Sequence, residues 1–273
     1  MNNQLKMVFC DIDGTLITNE GILASQTVKK LQTTTANDPN FVFNLISGRS
    51  WRNELLIFQK LKIQPRGYLI GSNGALIYSL TTQQIIKCWE INEVISELIY
   101  QKIMQLSKIN PNLAFNVNYS DEPNQYAYQI KHFKTYSANY QIACKSQFSN
   151  QHVLVFMVFG LGEQLNEFVN WLKQFDLNIL PGPNLTFINA SHVNKANAIK
   201  YLLDYHHLKV EQVAVFGNSR NDLCMFQIPH IYSITYKTAK PYLVKVAQDV
   251  IDDASSAFIS QGITDFLNYL NNQ

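Results

Sequence analysis

The chain has 273 residues, 47% of them hydrophobic, enough to fill one large core or two. Only 15% are charged, and the net charge of +2 sets up no strong field toward nucleic acid or an anionic membrane. No stretch approaches the roughly 18 apolar residues of a membrane-spanning helix, and the opening residues are too short in apolar character for a signal peptide. The four cysteines, Cys10, Cys88, Cys144 and Cys224, form no C-x-x-C pair. Cys10 and Cys224 read as buried free thiols of a reducing compartment. The expectation is a soluble cytoplasmic protein, monomer or homodimer.

In chain order, a β-prone run at 7–10 ends in Asp11 and Asp13, followed by Gly14 and Thr15. In extended backbone, residues two apart project to the same side. The two carboxylates are therefore expected to face one small volume, where a hard divalent cation such as Mg²⁺ relieves their repulsion. Gly14 can turn the chain and expose N–H groups to an anion. A plain strand-to-turn exit is the competing reading. A calcium loop is excluded, because its sixth and twelfth positions would hold Leu16 and Ile22.

A helix is expected over 24–33, then a buried strand over 41–46 that runs into Ser47-Gly48-Arg49. The hydroxyl and turn glycine there suit a phosphate oxygen, although Ser47 also suits a helix N-cap. A second helix covers 51–61, and a strand at 68–70 leads into Ser72-Asn73-Gly74-Ala75. The middle reads as α+β: a helix at 92–107, an aromatic stretch at 116–140, an apolar strand at 153–159 and a helix at 163–175. Gly182 is expected to be the return hinge. Lys195 then sits near the start of an amphipathic helix, where a solvated lysine is the plain alternative. Strands at 213–216 and 232–235 follow, the first running into Gly217-Asn218-Ser219-Arg220-Asn221-Asp222. Asp222 can cap the next helix or approach a metal. Strand–loop–helix alternation argues an α/β parallel sheet, with polar loops gathered at the carboxyl ends of the strands.

Other features are read as structural. Tyr126, Tyr128 and Ile130 alternate as a half-buried strand does, although that stretch, with Lys131, His132, Lys134 and Tyr136, also suits a sugar or a cofactor ring. His206-His207 lacks a zinc spacing, and Gly160-Leu161-Gly162 is a strand-to-helix turn rather than a dinucleotide fingerprint.

The order D-x-D-G-T, S-G-R, Lys, G-N-x-x-N-D, each at a strand exit, resembles the haloacid dehalogenase superfamily. Its spacing is similar to the Cof-type branch of sugar- and cofactor-phosphate phosphatases. That resemblance implies a Rossmann-like parallel-sheet core domain at 1–80 and 184–273, with an inserted α+β cap domain at 81–183. Ser72-Asn73-Gly74-Ala75 resembles the branch's S-N-G-A segment, and Gln261-Gly262-Ile263 its D-G-V turn. By the same resemblance Asp11 is the nucleophile, Asp13 the general acid and base, and Lys195 the third catalytic residue. Ser47, Gly48, Arg49, Asn73 and Asn221 bind the phosphorylated metabolite. Mg²⁺ is held by Asp11, the Asp13 carbonyl, Asn218 and Asp222. The expected function is Mg²⁺-dependent hydrolysis of a small phosphorylated metabolite through an aspartyl-phosphate. Asn218 departs from the family pattern, which has aspartate there, and weaker Mg²⁺ binding is expected. That departure favours the alternative of a non-catalytic phospho-ligand binder. A phosphomutase ranks lower, because such enzymes have smaller or differently placed caps.

Overall fold

The structure is a computed structural model that describes residues 5–120, 126–128, 147–182, 184–252 and 257–272. In chain order it begins with β1 (Lys6–Cys10), α1 (Ser25–Asn37), β2 (Phe41–Ile46), α2 (Trp51–Leu61), β3 (Tyr68–Gly71), β4 (Leu76–Ser79) and β5 (Gln84–Cys88). There follow α3 (Glu93–Ser107), β6 (Ala114–Tyr119), β7 (Tyr126–Tyr128), β8 (Val153–Phe159), α4 (Leu165–Leu172), β9 (Leu177–Leu180) and β10 (Leu185–Ala190). The last part is α5 (Lys195–His206), β11 (Val213–Phe216), α6 (Leu223–Phe226), β12 (Tyr232–Tyr236), α7 (Pro241–Val244), β13 (Asp249–Ile251) and α8 (Phe258–Asn271).

The chain divides into two compact units, Met1–Ile86 with Asn194–Gln273, and Lys87–Val193. These divisions fall later than the sequence boundaries at 81 and 183. β5 still belongs to the first sheet, and β9 and β10 pair within the second.

The first unit holds an eight-stranded sheet in the order β13-β12-β11-β1-β2-β3-β4-β5. From β13 to β3 every pair is parallel, and β4 returns antiparallel to β3. β2 and β11 are buried along their whole length, as unbroken apolar runs such as Val213–Phe216 require. Because β1, β2, β3 and β11 run the same way, Asp11, Ser47, Ser72 and Gly217 all leave the sheet at one edge.

The second unit holds an antiparallel sheet in the order β7-β6-β8-β10-β9. β8 lies between β6 and β10 and is buried throughout. Its alternating side chains enter two clusters: Val153, Phe156 and Val158 pack with α3 and α4, while Val155, Met157 and Phe159 pack with Ala114 on the other face. Tyr126 and Tyr128 are half-buried against Phe115, as the strand reading has it. Ile130, Lys131, His132, Lys134, Tyr136 and Cys144 lie outside the described residues.

Three local expectations are corrected. Gly182 lies in the connection between the antiparallel strands β9 and β10, where a Cβ would fall 2.6 Å from the Leu185 carbonyl oxygen. It therefore turns a hairpin and is no hinge between units. Gln261-Gly262-Ile263 is helical, inside α8, and not a turn. Gly262 is there for packing, since a Cβ would lie 2.6 Å from the Phe216 ring. The helix expected over 163–175 is a short 3₁₀ turn at Gly162–Gln164 followed by α4.

Candidate functional site

β1 delivers Asp11 to the sheet edge, and the chain turns at once. Gly14 has φ +76°, a conformation that favours glycine, and the Leu16 N–H donates to the Asp11 carbonyl at 3.2 Å. Lys195 is the first residue of α5 and is only 1% exposed. Its Nζ donates to Asp11 Oδ1 at 2.6 Å and to Asp222 Oδ1 at 2.7 Å. The other oxygen of Asp222, Oδ2, accepts from the backbone N–H groups of Asn218 and Ser219 at 3.0 and 2.9 Å, and from Ser219 Oγ. Asp222 therefore caps the turn and pairs with the lysine at once. Gly217 allows this, because a Cβ there would sit 2.5 Å from the Asp222 Cβ.

One ammonium faces two buried carboxylates. Burial opposes the charge of Lys195, but Asp11 and Asp222 outweigh it and hold the lysine protonated, above its ordinary range. Burial, then the Asp222 charge, pushes Asp11 up to about 7, against the pull of Lys195. The cluster carries a surplus of negative charge that a bound cation would neutralise.

Asp13 is more open than Asp11: its side chain is 55% exposed, and Arg49 grips it with two hydrogen bonds. Nε reaches Oδ2 at 2.8 Å and the terminal nitrogen reaches Oδ1 at 2.5 Å. Asp13 does not touch Lys195, though its charge still reaches Asp11.

The loops after β2 and β3 are tied together. Ser47 Oγ accepts from the Arg49 N–H at 3.2 Å, and the Ser47 carbonyl accepts from the Asn73 N–H at 2.9 Å. The Arg49 carbonyl accepts from the Ser72 N–H at 2.7 Å. Half-buried Gly48 lies between these anchors. α2 begins after Ser50, so Ser47 is not its N-cap. Asn73 has φ +60°, and its Oδ1 accepts from Asn221 Nδ2 at 3.1 Å. Asn73 Nδ2 is buried without a hydrogen-bond partner.

Asn218 supplies the test for a cation. Its Oδ1 is buried and has no hydrogen-bond partner, while its Nδ2 donates to the Tyr236 hydroxyl at 3.4 Å. An orphaned acceptor beside surplus carboxylate charge fits a hard divalent ion. Among the described residues, no three His, Cys, Asp or Glu side chains converge as a metal cluster.

Two residues escaped the sequence reading. Glu54 in α2 is wholly buried, and neither carboxylate oxygen has a hydrogen-bond partner of full geometry. Burial pushes it well above the usual carboxylate range, despite the Lys195 and Arg49 charges. Its signal was a glutamate on the apolar stripe Trp51, Phe58, Leu61 of a helix. Tyr236 gave no signal of spacing or motif.

At the carboxyl edge of a parallel α/β sheet, one buried lysine thus sits between two buried carboxylates. The chain matches the family model of haloacid dehalogenase-like hydrolases over residues 8–263, and it belongs to that family. A Mycoplasma pneumoniae protein named "Putative phosphatase" is 24% identical, with 97% of each chain covered. The crystal structure of a haloacid dehalogenase-like hydrolase from Bacteroides thetaiotaomicron has the same fold, with a TM-score of 0.78 at 17% identity, covering 94% of this chain and 99% of that one. A second structure from that organism, described among phosphatases of the superfamily, gives a TM-score of 0.74 at 17% identity, covering 97% and 96%.

Proposed function

We propose that this hydrolase is a phosphatase that cleaves a small phosphorylated metabolite, a sugar or cofactor phosphate, with Asp11 as nucleophile. The supporting observation is Lys195 Nζ, buried at 2.6 Å from Asp11 and 2.7 Å from Asp222. A fixed ammonium lowers the repulsion between an anionic nucleophile and a phosphate dianion. Asp11 attacks phosphorus, the bond from phosphorus to the alcohol oxygen breaks, and Asp13 gives that oxygen a proton. Asp13 then takes a proton from water, whose oxygen attacks phosphorus and frees Asp11, leaving inorganic phosphate. For this Asp13 has to leave the clamp of Arg49. A phosphoryl group is the competing partner for the planar guanidinium fork. Ser47, Gly48, Asn73 and Asn221 line the approach as donors or as the frame that holds them.

A Mg²⁺ ion would be held by the Asp11 carboxylate, Asn218 Oδ1 and the Asp13 carbonyl, and would supply charge neutralisation for the transferring group. Asp222 would complete the set: its oxygens also accept from Lys195, Asn218 and Ser219, and a carboxylate oxygen that accepts one hydrogen bond keeps a lone pair for a cation. The amide at 218 also favours a second reading, a phospho-ligand binder without turnover. Hydrolysis of an aryl phosphate with Mg²⁺ separates the two. The phosphatase reading expects turnover that Asp11→Asn abolishes. Binding of phosphorylated metabolites without turnover across a broad panel supports the binder.

A further inference from the structure

We infer that Tyr236 is a positioning residue that locks the Asn218 side chain with its carbonyl oxygen, rather than its amide nitrogen, free for the cation; this rests on the Mg²⁺-dependent reading above. Tyr236 closes β12, the neighbour of β11, whose exit loop carries Asn218. Its hydroxyl donates to the Gly14 carbonyl at 3.0 Å. A phenol has one proton, and that proton is committed, so toward Asn218 the oxygen can only accept. It accepts from Nδ2 at 3.4 Å. Gly14 makes room for the same nitrogen, since a Cβ there would fall 2.1 Å from it. One end of the amide is therefore specified as the donor. The other end, Oδ1, is the buried atom without a partner.

The lock matters because residue 218 is an amide. A carboxylate presents oxygen at both ends, and a half-turn about its last bond changes nothing. An asparagine turned the same way would present N–H groups to a cation and repel it. The phenol ring is held by an edge contact with Phe258, centroids 5.1 Å apart, so the hydroxyl stays in place. Asparagine at 218 and tyrosine at 236 thus act as a pair, in which the second residue makes the first usable.

The test is a double-substitution cycle read by Mn²⁺ binding, through the electron paramagnetic resonance of the free ion, and not by turnover. Four full-length proteins are compared: wild type, Tyr236→Phe, Asn218→Asp, and the double variant. Phenylalanine keeps the ring contact, and the unfolding midpoint of each protein with and without Mn²⁺ gives an independent measure of binding. Tyr236→Phe is expected to weaken Mn²⁺ binding by about tenfold or more in the Asn218 background, the usual scale for a partner that orients a ligand. In the Asn218→Asp background the same change is expected to cost less than about twofold, because no flip remains to be prevented. An equal loss in both backgrounds makes Tyr236 merely structural and overturns the proposal, as does no loss in either. Failure of both wild type and Asn218→Asp to bind Mn²⁺ overturns the cation reading itself, and the lock with it.

Discussion

Replacing Lys195 with Met removes the ammonium that touches both acids while keeping most of the volume. Nζ lies 2.6 Å from Asp11 and 2.7 Å from Asp222, and these carboxylates are 4% and 0% exposed. Removing one partner from a buried pair costs about 3–5 kcal/mol, because the remaining charge is left uncompensated. At about 2–4 °C per kcal/mol for a chain of this size, the unfolding midpoint falls by roughly 6–20 °C. The deficit depends on pH. The stranded acids relieve their repulsion by taking up a proton, which is worth about 1.4 kcal/mol per pH unit. In chelator the loss is therefore largest near about pH 8 and shrinks toward about pH 5. Scanning calorimetry of wild type and Lys195→Met at both pH values measures it. Adding Asp11→Asn to Lys195→Met is expected to recover much of the loss. A variant midpoint within about 2 °C of wild type near about pH 8 would refute the claim that this lysine neutralises both acids.

Asn218→Asp restores a negative charge facing the cation and should lower the Mg²⁺ concentration for half-maximal activity by about tenfold; an unchanged metal dependence removes Asn218 from the ligand set. Arg49→Lys replaces a two-pronged donor with a point charge, and the KM for an aryl phosphate should rise by about tenfold in steady-state kinetics. Parameters equal to wild type would take Arg49 out of phosphate recognition. The folded protein holds the Asp11 carboxyl at about 7 against an ordinary 3.8, so folding favours its protonated form. The stability this group contributes is present below about pH 4 and is lost as pH rises through about 7. Chemical denaturation in chelator should show wild type weakening across that window and Asp11→Asn weakening less. Parallel curves would refute the assignment.

Five strands of the sheet, β1, β2, β3, β11 and β12, were legible as apolar runs, whereas β4, β5 and β13 were not read, β5 and β13 being exposed or half-buried. The run at 213–216 and the helix at 51–61 have the bounds read from the sequence. The residues at the edge were legible as a set, because parallel strands bring their exits together. Their pairings were not. Asp13 and Arg49 are separated by 36 positions, and no local pattern links them. Gly262 resembled a turn glycine, but the Phe216 ring beneath α8 leaves no room for a Cβ. Glu54 was passed over as one more helix residue, although its apolar neighbours at helical spacing were visible. Tyr236 acts through one hydroxyl on two distant loops, and nothing in β12 marks it.

The central claim is that the Asp11 carboxylate beside Lys195 takes up the phosphoryl group. The most direct measurement is rapid acid quenching of the protein during turnover of an aryl phosphate with Mg²⁺, followed by peptide mass spectrometry. A phosphoryl group on the peptide that carries Asp11, absent in Asp11→Asn, is the predicted result. Turnover with phosphate on a different residue, or undiminished turnover in Asp11→Asn, would contradict it.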